Sequence, residues 1–367
     1  MDHILNNVIP KFHYLGVPVS YQAYGNGNIN LTYIVNVQNA PVKRYILQKI
    51  NGEVFADITS LMKNVENVTT FLSGKIAASG GNKDRECLSL IPTSDGKMYY
   101  VDEYGAFWRS YNFIDRAFCF DKAEKPDHVR ESGKAFGRFL RLLDEYPAEN
   151  LFETIPDFHN VQKRFAAFTA AVDADHKNRA VTASKEISHA LRFKDDLNYF
   201  TDLRAKSLLP VRVTHNDTKF NNVMIDMDTE RAVCVLDLDT VMPGLSAYDY
   251  GDSIRSCASS AEEDEADLSK VYLDDRLFDA FTRGYLSECA LILSKKEIEV
   301  LPTAVILITY ELALRFLTDY LNGDEYFRIR KPTHNLDRAA NQLKLLSDME
   351  YKTLWMSSAI RRIINQL

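Results

Sequence analysis

The stretch V-R-V-T-H-N-D-T-K-F-N-N-V-M-I-D, Val211 to Asp226, decides the reading of this chain, together with A-V-C-V-L-D-L-D-T-V-M-P-G, Ala232 to Gly244, and Y-D-Y-G-D, Tyr248 to Asp252. It contains His215-x-Asp217-x-x-x-x-Asn222, and Asp237 closes an apolar β-branched run downstream. Val223 to Ile225 and Ala232 to Leu236 read as the two strands of a hairpin turning at Asp226 to Glu230. That hairpin is expected to carry Asn222 and Asp237 to the same end. A carboxylate that can take a hydroxyl proton, with a carboxamide and a second carboxylate that can hold magnesium on nucleotide phosphates, is the set that phosphoryl transfer needs. Asp217 suits the first role, and Asn222 and Asp237 the second. Asp239 is a candidate for a further metal carboxylate. The bland alternative, polar residues filling hairpin ends, explains each residue singly but not their joint spacing.

These residues carry a resemblance. T-H-N-D-T-K-F-N-N and L-D-T-V-M-P-G are similar to motifs of the aminoglycoside phosphotransferase and choline kinase-like family, and within it to the N-acetylhexosamine 1-kinases. The similarity continues through Y-G-N-G-N-I-N at Tyr24 to Asn30, R-Y-I-L-Q at Arg44 to Gln48, G-D-S-I-R at Gly251 to Arg255 and R-F-L-T-D-Y-L at Arg315 to Leu321. The resemblance implies an α+β, bilobal protein-kinase-like fold with a small β-rich N-lobe, residues 1–114, and a larger, mostly helical C-lobe, residues 115–367. It also implies ATP and Mg2+ as cofactors and a small-molecule sugar as the acceptor.

Composition agrees with this class without selecting it. The 367 residues are 46% hydrophobic and 26% charged, with a net charge of -7. A nucleic-acid binder would show a basic stripe, and none is present. Cys87, Cys119, Cys234, Cys257 and Cys289 are scattered, with no C-x-x-C pair to signal a disulfide framework or zinc. The N-terminal segment lacks the basic and apolar regions of a signal peptide. The longest apolar region, Leu301 to Leu321, is broken by Glu311, Arg315 and Asp319. These features predict a cytoplasmic protein with no membrane span; they leave the oligomeric state open.

Before the central stretch, Val17 to Tyr24 and Asn30 to Val37 read as strands around the turn Gly25-Asn26-Gly27. Backbone amides of such a turn can approach phosphate, which makes Gly25, Asn26, Gly27 and Asn28 nucleotide-binding candidates. Asn30, a further nucleotide-binding candidate, stands where a kinase loop has its third glycine. Lys43 to Ile50 is the next strand, and Gln48 occupies the place where kinases put a phosphate-holding lysine. Asp57 to Leu72 has helical periodicity, and Glu66 on it is the candidate partner of that strand position. Leu88 to Pro92, Lys97 to Asp102 and Ala106 to Ile114 complete the strand set. Phe113, in the hinge Tyr111 to Asp115, is a candidate adenine contact.

From Pro126 onward the pattern is helical, with Gly133 to Leu143, Val161 to Val172, Glu186 to Leu203 and Thr303 to Asn322 as candidate helices. Glu311, Arg315 and Asp319 share one stripe of the last. Either they form an internal ion-pair ladder, or Arg315 binds acceptor oxygens while the two carboxylates orient it. The resemblance implies the second, with Tyr326 as a further sugar contact. It also places Asn28 and Ser256 near the sugar, where His and Phe are expected instead. Two rival functions stay open at this stage: an aminoglycoside- or choline-type kinase, and a nucleotide-binding pseudokinase suggested by Gln48.

Overall fold

The computed structural model describes residues 3–25, 29–122 and 125–367. The chain divides into two compact units, one of Met1–Phe118, Glu145–Ile155 and Met224–Met242, the other of Cys119–Asp144, Pro156–Val223 and Pro243–Leu367.

The first unit is built on a five-stranded sheet. Its strands are β1 (Val17–Ala23), β2 (Leu31–Gln38), β3 (Arg44–Lys49), β4 (Tyr100–Val101) and β5 (Phe107–Asn112), ordered β1-β2-β3-β5-β4. Alternation in L-T-Y-I-V-N-V-Q sends Val35 and Val37 to an apolar cluster with Tyr45, Leu47, Trp108, Val8, Ile9 and Phe12. The opposite row is polar, because Thr32 pairs with Gln48 and Gln48 with Arg109 across three strands. Helix α1 (Ile58–Ala78) starts at Asp57, whose carboxylate accepts from the Ser60 amide. It buries Leu61, Met62, Val65 and Val68. Helix α2 (Lys83–Glu86) is one turn. The expected strand Leu88 to Pro92 is reduced to an isolated bridge between Leu90 and Tyr111. Strand β6 (Ala117–Phe118) pairs with Val223–Asp226, and that strand with Ala232–Val235, as the hairpin reading requires.

The second unit is helical: α3 (Pro126–Leu142), α4 (Val161–Ala174), α5 (Ser184–Ala190), α6 (Tyr199–Ala205), α7 (Ser246–Cys257), α8 (Asp275–Cys289), α9 (Lys295–Asn322), α10 (His334–Tyr351) and α11 (Thr353–Ile364). The span read as one helix from Glu186 to Leu203 is instead α5, a 3-10 turn and α6. Helix α9 starts eight residues before Thr303, at a capping box of Ser294 and Glu297. It is long and apolar enough to cross a membrane by length and composition, and 78% of its apolar window is buried inside the protein. Tyr310, Ala313, Leu314, Phe316 and Leu317 of α9 pack with Phe168, Ile187, Phe193, Leu343 and Leu346. Two glycines fix the geometry around α9. A Cβ on Gly251 would lie 2.6 Å from the Ala304 carbonyl oxygen, so α7 can cross α9 closely only with glycine there. Gly323, at φ 111°, ends α9 in the left-handed region.

Candidate active site

In the second unit, the loop bearing Asp217 follows the strand Arg212–Thr214. Its shape is set by Asp249 in the first turn of α7, whose two carboxylate oxygens accept from the His215 amide at 2.8 Å and the Asn216 amide at 2.7 Å. Thr218 Oγ1 donates to the Asp249 carbonyl at 2.6 Å. His215 is fully buried against Phe136 and Phe139, and its Nδ1 accepts from the Asp217 amide at 3.3 Å. Asn216 adopts φ 64°, and this left-handed turn sends the chain on to Asp217. Asn222 Nδ2 donates to Asp217 O at 2.8 Å and to Asp217 Oδ2 at 3.1 Å. Lys219 Nζ lies 2.8 Å from Asp217 Oδ1. Burial alone would raise the Asp217 carboxyl; the charge and hydrogen bond of Lys219, with His215 and Asn222, outweigh it and hold Asp217 below its ordinary value. At neutral pH Asp217 is therefore an ionised carboxylate, the form a general base needs.

In the first unit, Asp237 sits at φ 57°, ψ 62° and is exposed, immediately before a 3-10 turn, Leu238–Thr240. Asp is one of the few side chains that tolerates this backbone. Asp239 points elsewhere. One of its oxygens pairs with Arg109 Nη1 and the other accepts from Asn30 Nδ2 at 2.6 Å, so both are occupied. Asn30 Oδ1 in turn accepts from the Asn51 amide at 3.0 Å. Arg109 is 1% exposed, and its Nε donates to Gln48 Oε1 at 2.9 Å. Burial works against the Arg109 charge; Asp239, with Tyr111 and Asp237 behind it, outweighs that and raises its pKa further. Gln48 Nε2 donates to Thr32 Oγ1 at 3.1 Å. The position expected to be a lysine is thus neutral, and its cross-strand neighbour carries the charge.

Glu66 does not meet Gln48. It pairs with Lys63 at 3.4 Å on the surface of α1. The residue of α1 that does reach the Asp237 loop is Asn64, which donates to the Val241 carbonyl at 3.1 Å and brackets the Phe152 backbone. Phe113 lies under the Arg44 guanidinium, 4.1 Å from its ring centroid, and near Tyr24. Gly25 is left-handed at φ 74°; Asn26, Gly27 and Asn28 fall outside the described residues.

On the α9 stripe the two carboxylates are engaged away from Arg315. Glu311 pairs with His159 at 3.2 Å. Asp319 accepts from the amides of Glu325, Tyr326 and Phe327 at 2.8–3.0 Å and from Asn335 Nδ2 at 2.8 Å. Neither carboxylate touches Arg315, so no Glu-Arg-Asp ladder forms among the described residues. The Arg315 guanidinium lies instead among three rings, 5.5 Å from Phe158, 5.7 Å from Tyr326 and 5.4 Å from Phe327. Arg315 and Tyr326 are therefore together, and Asp319 reaches Arg315 only through the loop that bears Tyr326. Ser256, on α7, donates to the Ser253 carbonyl at 3.2 Å.

The sequence reading had no role for Arg109, Asn64 or Lys219. Only the alignment of Gln48 with the F-W-R-S strand could have pointed to Arg109, and it requires the strand order.

Among the described residues, no cluster of three or more His, Cys, Asp or Glu forms an all-protein metal cage. Magnesium does not need one, since it keeps water and phosphate oxygens and takes one or two protein ligands. The Asp237 carboxylate and the Asn222 side-chain oxygen are hard donors of the required kind; both Asp239 oxygens are engaged by Arg109 and Asn30.

Comparison with known proteins agrees. The overall fold is similar to that of an aminoglycoside phosphotransferase from Alicyclobacillus acidocaldarius, at 14% identity over 98% of this chain and 96% of that one, with a TM-score of 0.59. It is also similar to a microcompartment-associated aminopropanol kinase, at 16% identity over 91% and 93%, with a TM-score of 0.55. A third likeness is to an amicoumacin kinase in complex with AMP-PNP and Ca2+, at 12% identity over 96% and 92%, with a TM-score of 0.55. The fold class is the expected one, α+β and protein-kinase-like. Residues 102–286, just over half of the chain and including both aspartate motifs, match the phosphotransferase enzyme family APH, and the chain belongs to that family.

Proposed function

We propose that this phosphotransferase is an ATP- and Mg2+-dependent sugar 1-kinase that phosphorylates the anomeric hydroxyl of an N-acetylhexosamine, GlcNAc or GalNAc. In this reading residues 1–114 serve the nucleotide and residues 115–367 the base and the sugar. Asp217 takes the proton of the anomeric hydroxyl, which is more acidic than an ordinary alcohol and so suits a carboxylate base. Asn222 and Asp237 hold the metal, which neutralises charge on the phosphates. Gln48 and the turn at Gly25 receive phosphate oxygens, with Arg109 supplying the positive potential that a strand lysine would give. Asp239 acts by fixing that arrangement through Arg109 and Asn30 rather than as a metal ligand.

The observation that carries the choice of acceptor is Arg315, a guanidinium beside the tyrosine Tyr326 with no carboxylate partner among the described residues. It offers donors to a neutral, oxygen-rich ligand. An amino alcohol or an aminoglycoside would need free carboxylates or an empty aromatic cage. Here Glu311 and Asp319 are engaged, and the rings already hold a cation. A silent nucleotide binder is disfavoured by the ordered Asp217–Asn222 pair and the exposed Asp237.

The test is ATP consumption with GlcNAc, GalNAc, choline and an aminoglycoside in turn. The hexosamines should support turnover and yield a product that no longer reduces copper and loses phosphate in mild acid. A product that still reduces copper would place the phosphate on another hydroxyl and refute the 1-kinase assignment.

A further inference from the structure

Two arginines of the helical unit meet at Phe158. Arg164, in the first turn of α4, donates from Nη2 to the Phe158 carbonyl at 3.0 Å, and its Nε is buried with no hydrogen-bond partner among the described residues. The Arg315 guanidinium, on α9, lies 5.5 Å from the Phe158 ring. Neither has a carboxylate partner among the described residues. Glu311 is held by His159, Asp319 by three amides, and Asp157 by Lys163 and Asn160. Burial first, and then the Arg315 charge, hold the pKa of Arg164 below its ordinary value. His159 completes the group. Its ring lies 4.7 Å from Phe158 and 5.0 Å from Tyr248. Nδ1 is 3.2 Å from Glu311 Oε2, while Nε2 is buried with no partner among the described residues. Burial works against a charge on this ring; Glu311 outweighs it and raises its pKa, which makes Nε2 a donor. Like charges gathered in a partly dry place are unfavourable unless an anion offsets them. The planar fork of a guanidinium fits the oxygens of carboxylate, sulfate or phosphate in pairs.

We propose that Arg164 and Arg315 together bind an oxyanion carried by the acceptor, so that acidic hexoses, with a carboxylate, sulfate or phosphate on carbon 6, are better substrates than neutral hexosamines. This rests on the reading that Arg315 faces the acceptor. Tyr248 links the pair to the reacting end: it packs on His159 and precedes Asp249, whose carboxylate shapes the loop bearing Asp217. An anion held beside His159 is therefore a neighbour of the base, the place for a substituent of the acceptor rather than for a free ion. Carbon 6 is the exocyclic carbon of a hexopyranose, so an acidic group there extends past the ring while carbon 1 keeps its hydroxyl. The transfer is the one already described. The carbon 1 oxygen bonds to the γ-phosphorus and its proton goes to Asp217, while the bond to the β–γ bridging oxygen breaks and leaves its electron pair on ADP. The oxyanion only positions the sugar. A neutral hexosamine offers oxygens to both forks but leaves the two positive charges facing each other.

The test is kcat/KM, from ADP release, for GlcNAc, glucuronic acid, GlcNAc 6-sulfate and GlcNAc 6-phosphate, in the wild type, Arg164→Met and Arg164→Lys. At least one acidic sugar should exceed GlcNAc by about 10–100-fold, the contribution of a charge-assisted hydrogen bond. The carboxylate, sulfate and phosphate arms show which oxyanion the pair takes. Arg164→Met should lower the ratio of acidic to neutral kcat/KM by about the same factor, and Arg164→Lys, which keeps the charge without the fork, should retain part of it. A merely structural Arg164 would lower Tm and all four rates together and leave the ratio unmoved, which overturns the proposal. If Arg164→Met does not fold, Arg164→Gln and Arg164→Lys supply the same ratio. A wild type that uses GlcNAc better than every acidic sugar overturns the oxyanion site and leaves the hexosamine assignment standing. One that uses an acidic sugar and no hexosamine removes that assignment and supports the oxyanion site; turnover of none of the four sinks both.

Discussion

Two carboxylate–cation pairs, one in each unit, differ in almost everything except charge. Arg109 and Asp239 are 1% and 4% exposed, and every oxygen of the carboxylate is used. Lys219 and Asp217 are 45% and 24% exposed, and the carboxylate has a lysine at contact distance on one oxygen and an amide on the other. The first pair cannot separate without leaving a charge in a dry interior, which costs several kcal/mol. The second can, because water and incoming ligand replace what is lost. Burial, not residue type, decides which pair is fixed and which can part. Arg315 extends the series: it is a cation with aromatic neighbours and, among the described residues, no carboxylate partner.

The comparison breaks most sharply at Asp217. Asp217→Asn should keep Tm and ADP binding while lowering kcat by roughly 10²–10⁴-fold, the usual contribution of a general base. Near wild-type turnover would mean that the exposed pair, too, is only structural.

Next in size is the buried pair. Arg109→Met should destabilise the fold by about 3–5 kcal/mol by stranding Asp239, and Asp239→Leu added to it should restore most of that loss. Lys219→Met should change stability by less than about 1 kcal/mol. Equal melting shifts in the two single variants would erase the distinction drawn here.

The smallest effect is expected at Arg315. Arg315→Ala removes a charge-assisted donor worth about 1.5–3 kcal/mol, so the acceptor KM should rise roughly 10–100-fold with the nucleotide KM unchanged. Since no ion partner is left behind, Tm should scarcely move. A large fall in Tm with an unchanged acceptor KM would return Arg315 to the core.

What could be read from the sequence follows the range of the interactions involved. The strands of the first unit, the hairpin at Asp226 and the juxtaposition of Asp217 with Asn222 depend on neighbours in sequence, and turn residues and alternation announce them. Arg109 beside Gln48 depends on β3 pairing with β5, which no local pattern encodes. Glu66 was expected to meet the strand by analogy with a lysine that this chain lacks; without that cation it turns to Lys63. For α9, helical spacing put Glu311, Arg315 and Asp319 on one stripe, as found. It could not say that His159 and a loop of three amides would claim the carboxylates.

Asp319 grips residues 325–327 by their amides and not by their side chains. Every amino acid except proline offers the same amide. The segment bearing Tyr326 can therefore keep its path while the side chains of Glu325 and Tyr326 are exchanged, Phe327 alone being tied to the core through Phe316, so that, on the proposed acceptor role of Tyr326, preference can be rewritten by libraries at these two positions without cost to the scaffold.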